Sequence, residues 1–241
     1  MSAVASEILA HLRRVDAERR HRLAAPGLAA KVDAIKHYQQ RRFAVTYADL
    51  LTSDRYGPAA RFFLEELYGP RDFSRRDSQF AKVVPAIVRL FPGDVVDTVS
   101  ALAELHGLSE MLDTAMGVAL PSADVDATAY ARAWQRSSYP AQREQQVALT
   151  VNLGRTLDQL TRKALLRSSL RMMRRPALAA GLGDLQSLLE RGFDAFAIMR
   201  GAQEFLAIVE ARERSLADRL FAAGTACPDG HDVEISRLEL P

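Results

Sequence analysis

His106 is the histidine of this sequence that could do chemistry from an apolar helical face. Val95, Val99 and Leu102 precede it at helical spacing, and Leu105 is its neighbour. A histidine so placed can ligate haem iron. Gln79 stands 27 residues upstream, where a distal helix would run, Phe62, Phe63 or Phe73 would pack on the porphyrin, and Leu102 lies on the turn before His106. Residues 56–116 therefore have the spacing of a globin-like pocket with His106 as proximal ligand. Three features weigh against haem: no distal histidine, Pro85 inside the would-be distal helix, and a chain of 241 residues. A core histidine bonded to a backbone carbonyl is the plainer reading, and the leading expectation is no cofactor.

Arginines are the other chemical resource. Arg71, Arg75 and Arg76 alternate with Asp72 and Asp77, beside Glu65 and Glu66. Such a turn can pair with itself in water, or its arginines can receive a carboxylate or phosphate. The first reading is favoured, because no phosphate loop accompanies them. Between Thr128 and Arg175 there are ten basic residues, opposed only by Glu144 and Asp158. Its end, with Arg162, Lys163, Arg167, Arg171, Arg174 and Arg175, holds no acid from 162 to 175. Such a segment would draw an acidic protein partner, bind nucleic acid non-specifically, or lie on an anionic membrane surface. The bland alternative pairs these cations with Glu204, Glu210, Glu213 and Asp218. Sequence-specific DNA reading is not supported.

Other chemistries lack their residues. His11, His21 and His37 fall on exposed helical faces and His231 lies near the end of the sequence. No HxxxH or ExxH pair exists for a helix-borne metal site. There is no GxSxG elbow, Walker loop or GxGxxG loop. Cys227 is the single cysteine, which excludes an intramolecular disulfide and a cysteine zinc site. An enzyme would have to assemble its site without a recognisable motif.

The positions that hold these residues read as helices. Apolar residues make 48% of the chain, ample for a core, and the net charge of +2 points to no partner. Helices are expected over 4–23, 27–51, from 57 to Gly69-Pro70, from Ser74 as cap to Phe91 with a kink or restart at Pro85, 94–119 with a break at Gly107, 124–138, 140–173, a short one from Pro176, and two more ending at Gly224 as cap. In the first, Arg13, Arg14, Arg19, Arg20 and Arg22 are placed on the outer face. No other stretch shows a strand period, apart from a short alternation near Val233 to Leu238. The N-terminus lacks the pattern of a secretory signal, and no run reaches the ~18 apolar residues of a membrane span.

The run FFLEELYGPRDFSRRDSQFAKVVPAIVRLFP, with VSALAELHGLSEMLDTAM after it, resembles a family of uncharacterised proteobacterial proteins, over roughly residues 47–117. The GPRDF and RRDSQF pieces are its specific parts. The resemblance implies a bacterial, all-helical protein and no mechanism. The expectation is an all-α fold: one compact bundle of eight or nine helices over 1–224, with a flexible C-terminal arm over 225–241, and any sub-division near 120–123. Its expected role is non-enzymatic: a cytoplasmic regulatory or protein-interaction module with a basic contact surface, for which homo-oligomers are also open.

Overall fold

A computed structural model describes residues 2–66, 73–222 and 240–241. Arg71 and residues 223–239, which hold Gly224 and most of the expected arm, lie outside the described residues. Those described form eleven helices and no strand. In chain order they are α1 (Ala3–Ala24), α2 (Leu28–Thr46), α3 (Ala48–Thr52), α4 (Gly57–Glu66), α5 (Ser74–Leu90), α6 (Gly93–Ala119), α7 (Ala127–Ser137), α8 (Pro140–Thr161), α9 (Ala164–Ala179), α10 (Gly183–Met199) and α11 (Gln203–Ala222).

Local chemistry sets many of the boundaries. Ser2 Oγ accepts from the Ala5 amide at 3.2 Å and caps α1. Asp126 does the same for α7, accepting from Ala129 N at 2.7 Å. Gly27 turns left-handed (φ 74°) between α1 and α2, a conformation that favours glycine. Pro140 opens α8, where its missing N–H costs nothing.

α6 is the central element. It packs against α1, α2, α5, α7 and α8. The core forms three apolar clusters, two of which include it. Ile8, Leu12, Phe80, Val84, Ala103 and Leu185 join α1, α5, α6 and α10. Ile35, Tyr38, Met116, Tyr130, Trp134 and Leu220 join α2, α6, α7 and α11. Phe43, Phe63, Val151, Phe196 and Phe205 join α2, α4, α8, α10 and α11.

The eleven helices exceed the expected eight or nine: two expected helices are each divided, while the short one expected from Pro176 is the end of α9. The run 27–51 breaks at Tyr47 into α2 and α3, and 140–173 breaks at Arg162-Lys163 into α8 and α9. Where breaks were expected, the chain continues. α6 runs through Gly107, and a Cβ there would stand 3.3 Å from the carbonyl oxygen of His11. That glycine lets α1 approach α6; it does not end a helix. α5 and α9 pass through Pro85 and Pro176. Both prolines are exposed, so water can reach the carbonyl each leaves without a donor. Ser74 is the first residue of α5, and Phe73 takes the capping position.

Gly154 makes a sharper case of close approach. A Cβ at this position would lie 2.5 Å from Leu206 Cδ2 on α11. Alanine normally stabilises a helix interior by about 1 kcal/mol over glycine. Here Gly154→Ala is expected to destabilise by roughly 1–3 kcal/mol, through overpacking against a fully buried leucine. Urea unfolding of the two proteins checks the sign.

Candidate functional site

Charged side chains lie inside the bundle, along the facing surfaces of α1, α2 and α6. Arg22 is only 7% exposed. Its Nη1 donates to Glu110 Oε2 at 2.5 Å, its Nη2 to the Glu110 carbonyl at 2.5 Å, and its Nε to Thr114 Oγ1 at 2.8 Å. Lys36 Nζ donates to the other Glu110 oxygen at 2.7 Å. One turn on, Gln39 Nε2 donates to Asp113 Oδ1 at 3.0 Å. Further along α2, Arg42 Nη1 and Tyr47 Oη both donate to Glu213 Oε1 on α11, at 2.5 and 2.7 Å. Arg143 on α8 reaches in from the far side. It stacks 3.9 Å over the Trp134 ring and donates to Met116 Sδ at 3.0 Å.

The two α6 carboxylates sit in opposite electrostatic settings three residues apart. Burial pushes the Glu110 carboxyl up, but Lys36 and Arg22 outweigh it and hold the group at about 2. Burial also pushes Asp113 up, and there Lys36 and Arg143 do not compensate, so its carboxyl stays above the ordinary aspartate range. Glu110 is thus a fixed anion neutralised twice, while burial at Asp113 works against the charged form. The arrangement locks α1, α2 and α6 in register.

A second polar joint ties α5 to its neighbours. Asp77 accepts from Arg19 Nη2 at 2.6 Å and from His106 Nε2 at 2.8 Å. Burial pushes the Asp77 carboxyl up, and the bonds and charges of His106 and Arg19 bring it below the usual range. Gln79 donates to Asp184 Oδ2 and accepts from Leu185 N, both at 3.0 Å, holding the start of α10. The nitrogen of His106 that would face an iron is therefore engaged with Asp77. Leu102 is half-buried one turn before it. Phe63 packs in the cluster with Phe196 and Phe205, away from the one holding Phe80 and Ala103 beside Gln79 and His106. The structure brings Gln79 and His106 to the same helix pair and leaves Phe63 in another part of the core.

The turn arginines are spread over three partners. Arg76 donates to Glu66 at 2.8 Å and lies 3.8 Å over the Phe73 ring. Arg191 on α10 also donates to Glu66. Arg75 is exposed and pairs with Asp184 at 3.1 Å.

The basic segment lies on the surface as α9 and the end of α8. Among the described residues, the cations from 162 to 175 make no ion pair with Glu204, Glu210, Glu213 or Asp218, as the pairing alternative required. Arg162 pairs with Asp158, Lys163 with Asp94, Arg167 with Asp194 and Arg174 with Glu190. Arg155, in the same basic stretch, does reach Glu210, at 3.2 Å, as the pairing alternative expected. Arg171 and Arg175 make no ion pair among the described residues. Two surface clefts touch the segment. One of about 470 Å³ is lined by Arg55, Arg162, Gly201, Gln203, Glu204 and Ala207. A smaller one of about 50 Å³ lies between Arg167, Arg171, Arg174, Glu190 and Phe193.

Sequence reading placed Arg22 on the outer face, counted Arg143 only among the ten basic residues of the 128–175 stretch, and singled out neither Glu110, Asp113 nor Arg42. Their signal was present: each is an ionisable residue at the spacing of an apolar stripe. Its meaning depended on partners tens of residues away. Among the described residues, no group of three or more His, Cys, Asp and Glu could hold a metal, and no helix is long and apolar enough to cross a membrane.

Fold and site together define an all-helical protein cross-linked by buried ion pairs, with an arginine-bearing helix on its surface. The chain belongs to the family described as Domain of unknown function (DUF8198), which it matches over residues 18–227. No curated protein and no solved structure matches it.

Proposed function

We propose that the chain is a non-enzymatic interaction module whose contact surface is α9, and that its partner is a protein segment rich in carboxylates. One observation carries the reading: α9 packs along α10 on one side, and its other side shows the solvent much that is apolar. Leu165 is 84% and Met172 78% exposed, and Ala177 is the α9 side chain that is fully buried among those described. Met173 and Leu178 are exposed beside them. Apolar side chains held in water beside Arg171 and Arg175, which make no ion pair among the described residues, suit a partner that is apolar and acidic.

The composition favours protein over lipid. Arginine and methionine are enriched at protein interfaces, and methionine adapts to varied partners. α9 has both and carries no aromatic residue of the kind that anchors a helix at a bilayer surface.

The test uses a synthetic amphipathic helical peptide with glutamates flanking leucines, titrated into the full chain. Binding is expected at low salt, weakening as salt screens the charges. It is expected to fall at least tenfold, about 1.4 kcal/mol, in the double variant Arg171→Glu, Arg175→Glu. Vesicles of phosphatidylserine and phosphatidylcholine serve as the competing surface. Binding to vesicles but not to the peptide, or equal binding by the double variant, would sink the proposal.

A further inference from the structure

The aromatic cluster between α2, α7 and α11 holds something that helix packing does not require. Tyr38 and Tyr130 stack with ring centroids 4.5 Å apart, Trp134 lies 6.1 Å from Tyr130, and Phe221 lies 5.8 Å from Trp134. Against these rings packs Leu240, from a part of the chain far away in sequence. The next residue, Pro241, presents its carbonyl oxygen to the Tyr38 hydroxyl, which donates at 3.1 Å. Leu240 is half-buried and Pro241 exposed, so the pair lies on the cluster as a seated ligand would.

The chemistry of the pair suits the seat. Proline has no N–H, so its carbonyl is offered without a donor that would need a partner. A leucine that precedes proline is restrained toward the extended form, which lowers the entropy lost on docking into an aromatic groove. The leucine supplies the apolar contact. The cluster has further hydrogen-bonding capacity that the pair leaves unused. Tyr130 Oη and Trp134 Nε1 are buried and have no partner among the described residues, although Tyr130 is 0% exposed. Unpaired buried donors are costly, so the cluster holds polar groups that the helices around it leave unsatisfied.

We propose that this aromatic cleft is a binding site for an extended peptide carrying a Leu-Pro pair, filled in this structure by the chain's own Leu240 and Pro241. The contact is intramolecular, and the seated segment competes with any peptide of the same chemistry offered from outside. The inference stands apart from α9 and does not depend on its role.

Trp134 is the chain's single tryptophan, so fluorescence excited beyond the tyrosine absorption band reports on the cleft. The experiment compares the full chain with its Leu240→Asp variant, which places a charge against the rings and vacates the seat. The variant is expected to emit at longer wavelength and to be quenched more readily by acrylamide. The probe is the heptapeptide ISRLELP, the sequence of residues 235–241. It should restore the wild-type spectrum and bind the variant at least about tenfold more tightly than wild type, whose tethered segment competes at high effective concentration. Adding Tyr38→Phe, which keeps the ring and removes the donor, should weaken peptide binding to the variant severalfold, about 1 kcal/mol. Identical spectra for the wild type and Leu240→Asp, with no peptide binding to either, would overturn the proposal. So would a wild-type dimer that becomes monomeric in Leu240→Asp, since the seat would then be filled by a second copy.

Discussion

Replacing Glu110 with alanine is expected to cost the fold about 3–5 kcal/mol, measured by urea unfolding at neutral pH. The change leaves two cations without their anion, Arg22 at 8% and Lys36 at 15% side-chain exposure. A buried charge without a partner is much worse than the absence of the whole group, which is why the loss should exceed that of an ordinary surface pair, about 0–1 kcal/mol. The same carboxylate predicts an acid limb. Its folded value lies near 2, against 4.5 for an ordinary glutamate. A depressed value contributes stability that is complete above the unfolded value and is lost as pH falls through the folded one. The contribution, on the order of 3 kcal/mol, should therefore disappear between about pH 4.5 and pH 2, and the Glu110→Ala protein should lack that limb. Asp113 supplies the contrast. Its carboxyl is held above the ordinary range, so its contribution is present at low pH and lost as pH rises through the folded value. Asp113→Asn keeps an acceptor for Gln39 and removes the charge, and it is expected to leave stability at neutral pH unchanged or higher. An Asp113→Asn protein as weakened as Glu110→Ala would show that this electrostatic division between the two carboxyls is wrong.

Phe63→Ala should be as damaging for a different reason. The ring stands edge-on to Phe205 at 5.6 Å and tilted against Phe196 at 6.1 Å, and both neighbours are fully buried. Truncation loses the transfer free energy of the ring and leaves a cavity bordered by rigid aromatics that cannot close it. Phenylalanine-to-alanine changes in such places cost about 3–5 kcal/mol. The expected result is a shift of the unfolding midpoint with little change in its slope. A loss under about 1 kcal/mol would mean that α4 closes onto α10 and fills the space.

How far this was readable from sequence differs by kind of interaction. Apolar periodicity located α1 nearly to the residue, because Ile8, Leu12 and Val15 repeat at helical spacing and Ser2 caps the start. It misread Gly107, because a glycine inside a helix looks the same whether it weakens the helix or admits a neighbour. It ran α8 into α9, since Leu157, Leu160 and Leu165 keep a helical spacing across the break at Arg162-Lys163. The buried ions escaped it altogether. Arg22 reads as one more exposed arginine until Glu110, 88 residues on, is known to lie against it. The basic segment was legible as charge, but its partners on α10 were not, because Asp194 and Glu190 declare themselves only when α9 folds back along that helix.

The distance along the chain between Arg42 and Glu213 has a consequence for how the protein is made. These two are 171 residues apart and both largely hidden from water in the finished fold. A ribosome adding about 5–20 residues per second needs roughly 10–30 s to travel from one to the other. Through that interval α2 has been synthesised while the helix that covers it and neutralises its arginine has not. The nascent bundle can close its α1–α2–α6 side first and must keep the α2–α11 side open until translation is nearly over. That open groove is where a chaperone attending the emerging chain would find its longest access.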